Sequence, residues 1–140
     1  ESAEHKEMIN EIVDYIDNTL EKPHTILSGL TDELEHPDRP PEIGAGETSR
    51  GKVPDVYAIN DKAIYIGEAK TVSDINKKHT LSQLEAYIGH IEHNVDFLGV
   101  YTFGKIILHT NIAHIQEFKK FIKKNYKNNN DYFIYLDDVR

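Results

Sequence analysis

The chain is 140 residues long, contains no cysteine and carries a formal net charge of −8. This length suffices for one domain with a buried core, so we expect a single domain over residues 1–140. The lack of cysteine excludes a disulfide framework and a thiolate zinc site, and it favours an intracellular setting. Because no apolar run reaches the roughly 18 residues that span a bilayer and no secretory signal is recognisable, we expect a cytoplasmic protein with no membrane partner.

The charge is unevenly distributed along the chain. Residues 1–70 carry a net charge of −9, whereas residues 71–127 carry a net charge of +3. The overall acidity argues against a nucleic-acid binder, because DNA phosphates repel an acidic protein. The basic second half is nevertheless compatible with a surface that faces phosphate groups.

The first half of the chain begins with a predicted amphipathic helix over residues 2–20, which Pro23 ends. Residues 24–30 form a short apolar segment that fits either a strand or an extension of this helix. Residues 31–52 are rich in proline and glycine and predict a long irregular loop, either a loop that contacts substrate or a surface excursion. The apolar stripe of the helix comprises Ile9, Ile12, Val13, Ile16 and Leu20.

The central stretch, residues 53–70, contains two runs of strand-forming residues, 53–59 and 63–69. The turn-like pair Asn60-Asp61 separates them, which predicts a β-hairpin. If this pair forms a two-residue turn, Asp55 lies opposite Ile66 in the hairpin.

The second half alternates helical and strand patterns. A helix is predicted from Thr80 or Ser82 to about His93, and another over residues 112–126. Strands are predicted over residues 96–102, 105–110 and 132–136, the last after a turn at 128–131. The mixture of helices and strands predicts an α/β layer fold with a mixed sheet flanked by helices.

Three charged side chains of the hairpin fall on one face. Strand side chains alternate with period two, so Asp55, Glu68 and Lys70 project together, with the two carboxylates as diagonal neighbours about 7–8 Å apart. Two carboxylates at this spacing can converge on a hard cation such as Mg²⁺. The alternative is a row of solvent-facing charges on an amphipathic sheet. Burial of unpaired carboxylates would be costly in such apolar strands, which favours a functional role.

These residues form a pattern that resembles a known nuclease motif. The sequence PD at residues 54–55, followed after a strand-length gap by EAK at 68–70, resembles the PD-(D/E)XK motif. The next predicted helix, with LSQ at 81–83 and Tyr87, resembles the glutamine-bearing helix of the VRR-NUC-type and RecB-like branches. The resemblance covers roughly residues 5–103.

The resemblance implies a restriction endonuclease-like αβββαβ core with a mixed central sheet, extended by a C-terminal helix and strand. It also implies a metal-dependent endonuclease that hydrolyses phosphodiester bonds in DNA, with Mg²⁺ or Mn²⁺ as cofactor. The alternative is a catalytically inactive nuclease-fold module for DNA binding or protein assembly. DNA is the implied partner, and the chain could act as a homodimer or within a larger nucleic-acid-processing complex.

The resemblance also implies roles for individual residues. Asp55 and Glu68 would ligate the metal, with the carbonyl of Ala69 as a further ligand. Lys70 would orient or activate the attacking water, and Gln83 would position that water or the scissile phosphate. Many members add an acidic residue from the first helix, a position for which this chain offers three candidates. These are Glu7, Glu11 and the loop residue Glu47.

Other polar groups have simpler interpretations. Four histidines are expected to be surface or boundary residues rather than a metal site, because they lack a third close ligand. Five lysines near the third helix form either a solvated helix face or part of a DNA groove. The histidines are His90, His93, His109 and His114, and the lysines are Lys119, Lys120, Lys123, Lys124 and Lys127.

Overall fold

The computed structural model describes residues 2–30, 39–44, 51–75 and 77–140. Within these residues the helices and strands follow one another in the order α1–β1–β2–β3–α2–β4–α3–β5–α4. The helices are α1 (Ala3–Thr19), α2 (Lys78–Glu92), α3 (Ile115–Asn125) and α4 (Leu136–Val139). The strands are β1 (Thr25–Ser28), β2 (Val56–Ile59), β3 (Ala63–Ala69), β4 (Phe103–His109) and β5 (Phe133–Tyr135).

The five strands form one mixed sheet in the order β1-β2-β3-β4-β5. The pairs β1–β2 and β2–β3 are antiparallel, whereas β3–β4 and β4–β5 are parallel. Parallel neighbours require crossover connections, and α2 and α3 supply them. The α/β class with a mixed sheet and flanking helices, predicted from the sequence, is therefore confirmed.

Helices cover both faces of the sheet. Apolar residues of α1, together with Leu136 at the start of α4, pack on one face, and those of α2 and α3 pack on the other. All seven residues of β3 are buried. A strand covered on both faces reads as a continuous apolar run, which is why Glu68 stands out within it.

Two glycines allow the helices to approach the sheet closely. A Cβ atom on Gly67 of β3 would lie 2.6 Å from Ile12 Cγ2 of α1. A Cβ atom on Gly104 of β4 would lie equally close, 2.6 Å, to Ile91 Cγ2 of α2. Each helix therefore rests on bare backbone at one point, and this contact fixes its height above the sheet.

The hairpin register differs from the prediction. Tyr57, not Asp55, pairs with Ile66, so the central turn residues are Asp61 and Lys62. The Asn60 side chain explains the shift, because its Oδ1 accepts hydrogen bonds from the N–H groups of Lys62 and Ala63 at 2.8 and 2.7 Å. Asparagine commonly caps a turn in this way. The pairing moves by two residues, so every side chain keeps its predicted face.

The predicted strand over residues 96–102 is wrong. Residues His93–Phe97 instead extend α2 as a π-helical turn, and Gly99 has a positive φ of 65°. The N–H groups of Leu98 and Val100 donate to the carbonyls of His93 and Asn94, both at 2.9 Å, so local bonds replace a strand ladder.

The structure also tests the predictions for the two ends of the chain. The first helix is confirmed, and the ambiguous segment 24–30 contains β1. The strand predicted over 132–136 is shorter, because α4 begins at Leu136. The predicted loop over 31–52 lies largely outside the described residues. Within the described ranges, no helix is both long and apolar enough to cross a bilayer.

Candidate active site

The candidate site lies at the carboxyl end of β3, beside its parallel neighbour β4. The N–H group of Lys70 donates to the carbonyl of His109 at 2.9 Å. The Thr110 hydroxyl donates to the carbonyl of Lys70 at 2.7 Å. These bonds extend the strand pairing by one residue and fix the backbone of Lys70. The carboxyl ends of strands are the usual place for ligands in α/β sheets.

Asp55 occupies a bend just before β2 and is held on two sides. The N–H group of Ala69 donates to its Oδ2 at 2.9 Å, and its own carbonyl accepts from Gly29 N–H at 2.8 Å. Continuing the observed register by one residue places Asp55 opposite Glu68. The predicted diagonal placement of these two carboxylates is therefore corrected to a direct one.

Glu68 is a buried carboxyl group, with 1 % of its surface exposed. The Tyr87 hydroxyl of α2 donates to its Oε1 at 2.6 Å, and Lys70 Nζ lies 3.6 Å from its Oε2. Burial and the charge of Asp55 raise the pKa of Glu68 to about 8, against the opposing effects of Lys70 and Tyr87. Burial and the neighbouring Glu68 likewise raise the pKa of Tyr87.

Lys70 and Gln83 join the strand end to α2. The Lys70 ammonium group donates to Gln83 Oε1, and both side chains are buried. Gln83 and Tyr87 are four residues apart and therefore lie on one face of the helix. The structure thus places Asp55, Glu68, Lys70 and Gln83 at one corner of the sheet, on the face that α2 covers.

His5 of α1 also belongs to this corner, and the sequence analysis missed it. Its Nε2 lies 3.2 Å from the carbonyl oxygen of Ala69 and 3.4 Å from Asp55 Oδ2. A signal existed, because His5 precedes Ile9 and Ile12 by four and seven residues and so falls on the apolar stripe of the helix. A polar residue on a buried stripe indicates a specific partner.

The three acidic candidates for the first-helix role have other placements. Glu11 Oε1 lies 3.3 Å from His109 Nε2, and its other oxygen pairs with Arg140. Glu7 is exposed on α1. Glu47 lies outside the described residues. His5 thus brings a polar group of the first helix to the candidate site, whereas Glu11 pairs elsewhere.

The donor atoms at this corner fit a hard divalent cation. Asp55, Glu68 and the Ala69 carbonyl offer oxygen atoms, and burial together with the charge of Asp55 raises the pKa of Glu68. Among the described residues, no group of three or more His, Asp or Glu side chains is arranged to hold a metal. Mg²⁺ commonly binds through one or two carboxylates and keeps several waters, so a pair of carboxylates is compatible with this ion.

Two of the other histidines have structural contacts. His90 Nε2 lies 2.9 Å from the Tyr57 hydroxyl, and burial lowers the pKa of His90. His93 stacks on Phe97 with ring centroids 5.4 Å apart. Each of these two side chains therefore has a partner within the protein.

Comparisons of the chain with protein-family models, curated proteins and solved structures gave no match. Function must therefore be inferred from the site residues themselves. These residues combine two carboxylates, a buried ammonium group and an amide.

Proposed function

We propose that this protein is a metal-dependent nuclease that hydrolyses phosphodiester bonds in DNA. The observation that carries the proposal is the convergence of Asp55, Glu68 and Lys70 at one strand end, with Gln83 bonded to Lys70. The order of the first six elements, α1–β1–β2–β3–α2–β4, is also the αβββαβ order that the resemblance implies. It supports a restriction endonuclease-like core.

The oxygen atoms of Asp55, Glu68 and Ala69 would hold Mg²⁺ or Mn²⁺. A bound divalent ion supplies Lewis-acid stabilisation of negative charge on the phosphate. Its charge would also offset the acidity of a corner that otherwise repels DNA. His5 would take the place of the expected first-helix acid, because its Nε2 is within 3.4 Å of both Asp55 and the Ala69 carbonyl oxygen.

The protein's own side chains would orient the reaction. Lys70 places an ammonium group, held by Gln83, where it can donate a hydrogen bond to the attacking water or to a phosphate oxygen. Tyr87 fixes the rotamer of Glu68 through its 2.6 Å hydrogen bond. Positioned donors in a buried site stabilise developing charge more strongly than water does, because they need no reorganisation during the reaction.

The proposal is tested by incubating the purified protein with supercoiled, linear, single-stranded and branched DNA in Mg²⁺ or Mn²⁺. We expect cleavage that EDTA abolishes and that Asp55→Asn or Lys70→Met reduces by about 10² to 10³-fold, the usual cost of removing one stabilising group. Lys62→Met, an exposed change at the opposite end of β3, serves as the matched control. The proposal fails if no substrate is cut, or if the site variants cut as fast as the control.

A second candidate is an inactive nuclease-fold module that binds DNA or assembles with protein. The observation that favours it is the small ligand set, since the described residues offer no group of three metal-ligating side chains. Calorimetric titration with Mn²⁺ separates the two candidates. Heat of binding that Asp55→Asn removes favours the nuclease, and no heat from the intact protein favours the module.

A further inference from the structure

Four lysines, from the middle of α3 to just beyond its end, form an exposed basic surface on an acidic protein. We call this surface, defined by Lys120, Lys123, Lys124 and Lys127, the lysine face. All four side chains are exposed. Residues 115–127 contain five lysines and one acidic residue, whereas the whole chain has a net charge of −8. The fifth lysine, Lys119, is engaged by Asp138 at 2.8 Å.

The lysine face lies beside the helix turn that carries the candidate site. The opposite side of α3 contributes Phe118, Phe121 and Ile122 to the apolar cluster that also contains α2, on one face of the sheet. The Tyr126 hydroxyl donates to the carbonyl of Leu81 at 3.2 Å. An open groove of about 590 Å³, lined in part by Lys120, Lys124 and Leu81, runs along this contact. Leu81 and Gln83 belong to the same turn of α2 and project to different sides of it, so the groove lies beside the turn that carries Gln83.

We propose that the lysine face binds the phosphate backbone of the DNA whose scissile bond enters the candidate site, an inference that rests on the proposed nuclease function. Lysine ammonium groups contact phosphates as point charges and need no fixed geometry. Positions 120 and 123/124 are separated by about 5 Å along the helix axis, at 1.5 Å per residue. Backbone contacts of this kind set orientation rather than sequence preference.

The structure favours nucleic acid over a membrane surface as the partner. A helix that binds membranes places an apolar face in the lipid and a basic face in the headgroups. The apolar residues of α3, including Phe118, Phe121 and Ile122, are buried in the protein core. No apolar side remains on this helix to enter a bilayer.

The test is DNA binding by the intact chain, measured by fluorescence anisotropy with a labelled 20-base-pair duplex across a salt series in EDTA. We expect Lys120→Gln/Lys124→Gln to reduce the slope of log K against log salt by about 2 and to weaken binding about tenfold or more. In Mg²⁺ the same variant should raise the KM for cleavage and leave kcat unchanged, because the lysines do not touch the reacting atoms. Lys22→Gln/Lys62→Gln removes the same charge at exposed positions elsewhere and is the control.

The outcomes separate the two proposals. One outcome is that the protein cuts DNA while Lys120→Gln/Lys124→Gln changes neither the dependence of log K on log salt nor the KM. In that case the lysine-face inference is overturned and the nuclease function stands. If the protein binds DNA through the lysines but never cuts it, the nuclease function fails. The lysine face then stands as a DNA-binding surface, and its link to a scissile bond is overturned. The inference is also overturned if Lys120→Gln/Lys124→Gln weakens binding to phosphatidylserine vesicles and not to DNA. Unchanged urea midpoints show that the variants are folded.

Discussion

Burial and the neighbouring Asp55 make the carboxyl group of Glu68 costly to ionise. Its environment offers one hydrogen bond from Tyr87 and one ammonium group, Lys70, while Asp55 adds a second negative charge. A buried charge that is incompletely paired lowers stability. Such an arrangement is typical of a site in which function, rather than folding, decides the residue.

The titration of Glu68 should make the stability of the metal-free protein depend on pH. Its pKa of about 8 lies above its ordinary 4.5, so the folded state holds the proton more tightly than the unfolded state. The contribution of this proton to the free energy of unfolding is fully present below pH 4.5 and is lost as the pH rises through about 8. The free energy of unfolding falls by at most about 1.4 kcal/mol per pH unit over this range. Urea denaturation in EDTA at pH 5, 7 and 9 measures this loss.

Glu68→Gln should remove most of this dependence, because glutamine does not titrate. Glu85→Gln, an exposed change on α2, should preserve it. Equal pH profiles for the parent and Glu68→Gln would contradict the prediction.

At this scale the sequence was informative about some residues and not about others. Strand alternation alone places Asp55, Glu68 and Lys70 on one face, and a shift of the register by two residues does not alter that. Their roles in catalysis remain predictions. His5 was missed because the family pattern directed attention to acidic residues, although its position on the apolar stripe distinguishes it from Glu7 and Glu11.

At the scale of the elements, the contact between α1 and β3 determines where His5 lies. Gly67→Ala should destabilise the protein by about 1–3 kcal/mol, the usual cost of overpacking, since the new methyl group meets Ile12 Cγ2 at 2.6 Å. Gly89→Ala is the matched control, because its Cβ meets nothing within 4 Å on an exposed part of α2.

The control should be stabilised by about 0.5–1 kcal/mol, the helix preference of alanine over glycine. Urea unfolding measures both changes. Equal midpoints for the two glycine variants would show that α1 can move away from the sheet without cost.

Local sequence patterns predicted most of the helices and strands. One exception depended on a side-chain hydrogen bond in a turn, and another on the lack of a neighbouring strand. Regular 3.6-residue periodicity was sufficient for α1, α2 and α3. The prediction of a strand over residues 96–102 was wrong because an apolar segment forms a strand only where a neighbouring strand can pair with it. The hairpin register failed because the Asn60 side chain, rather than the dipeptide Asn60-Asp61, determines the turn.

At the scale of the whole molecule, a bound cation should stabilise the fold. An ion that binds the folded state alone adds RT ln(1 + [L]/Kd), about 2.7 kcal/mol at 100 times Kd. We expect Mn²⁺ to raise the Tm of the parent protein at pH 8, where Glu68 is increasingly ionised. Asp55→Asn should abolish the increase and His5→Ala should reduce it, as differential scanning fluorimetry can measure.

Glu11→Gln supplies the control, because Glu11 is engaged by His109 and Arg140. A metal-dependent increase that survives Asp55→Asn would place the cation elsewhere in the protein.

The overall architecture was predictable only in part. Alternating helical and strand patterns predict an α/β layer fold, since each must bury an apolar face against the other. The strand order depends on contacts between distant segments, such as Ala69 with His109, which no local pattern encodes. The short α4 was missed because four residues carry too little periodicity.

The described sheet ends in two very short strands, β1 with four residues and β5 with three. An edge strand exposes unpaired N–H and C=O groups that can template a further chain, and brevity is one way in which proteins limit this risk. Sheet extension between copies, and amyloid-like stacking at high concentration, are therefore disfavoured. Within the described residues, this favours helical surfaces over sheet edges for contacts with other macromolecules.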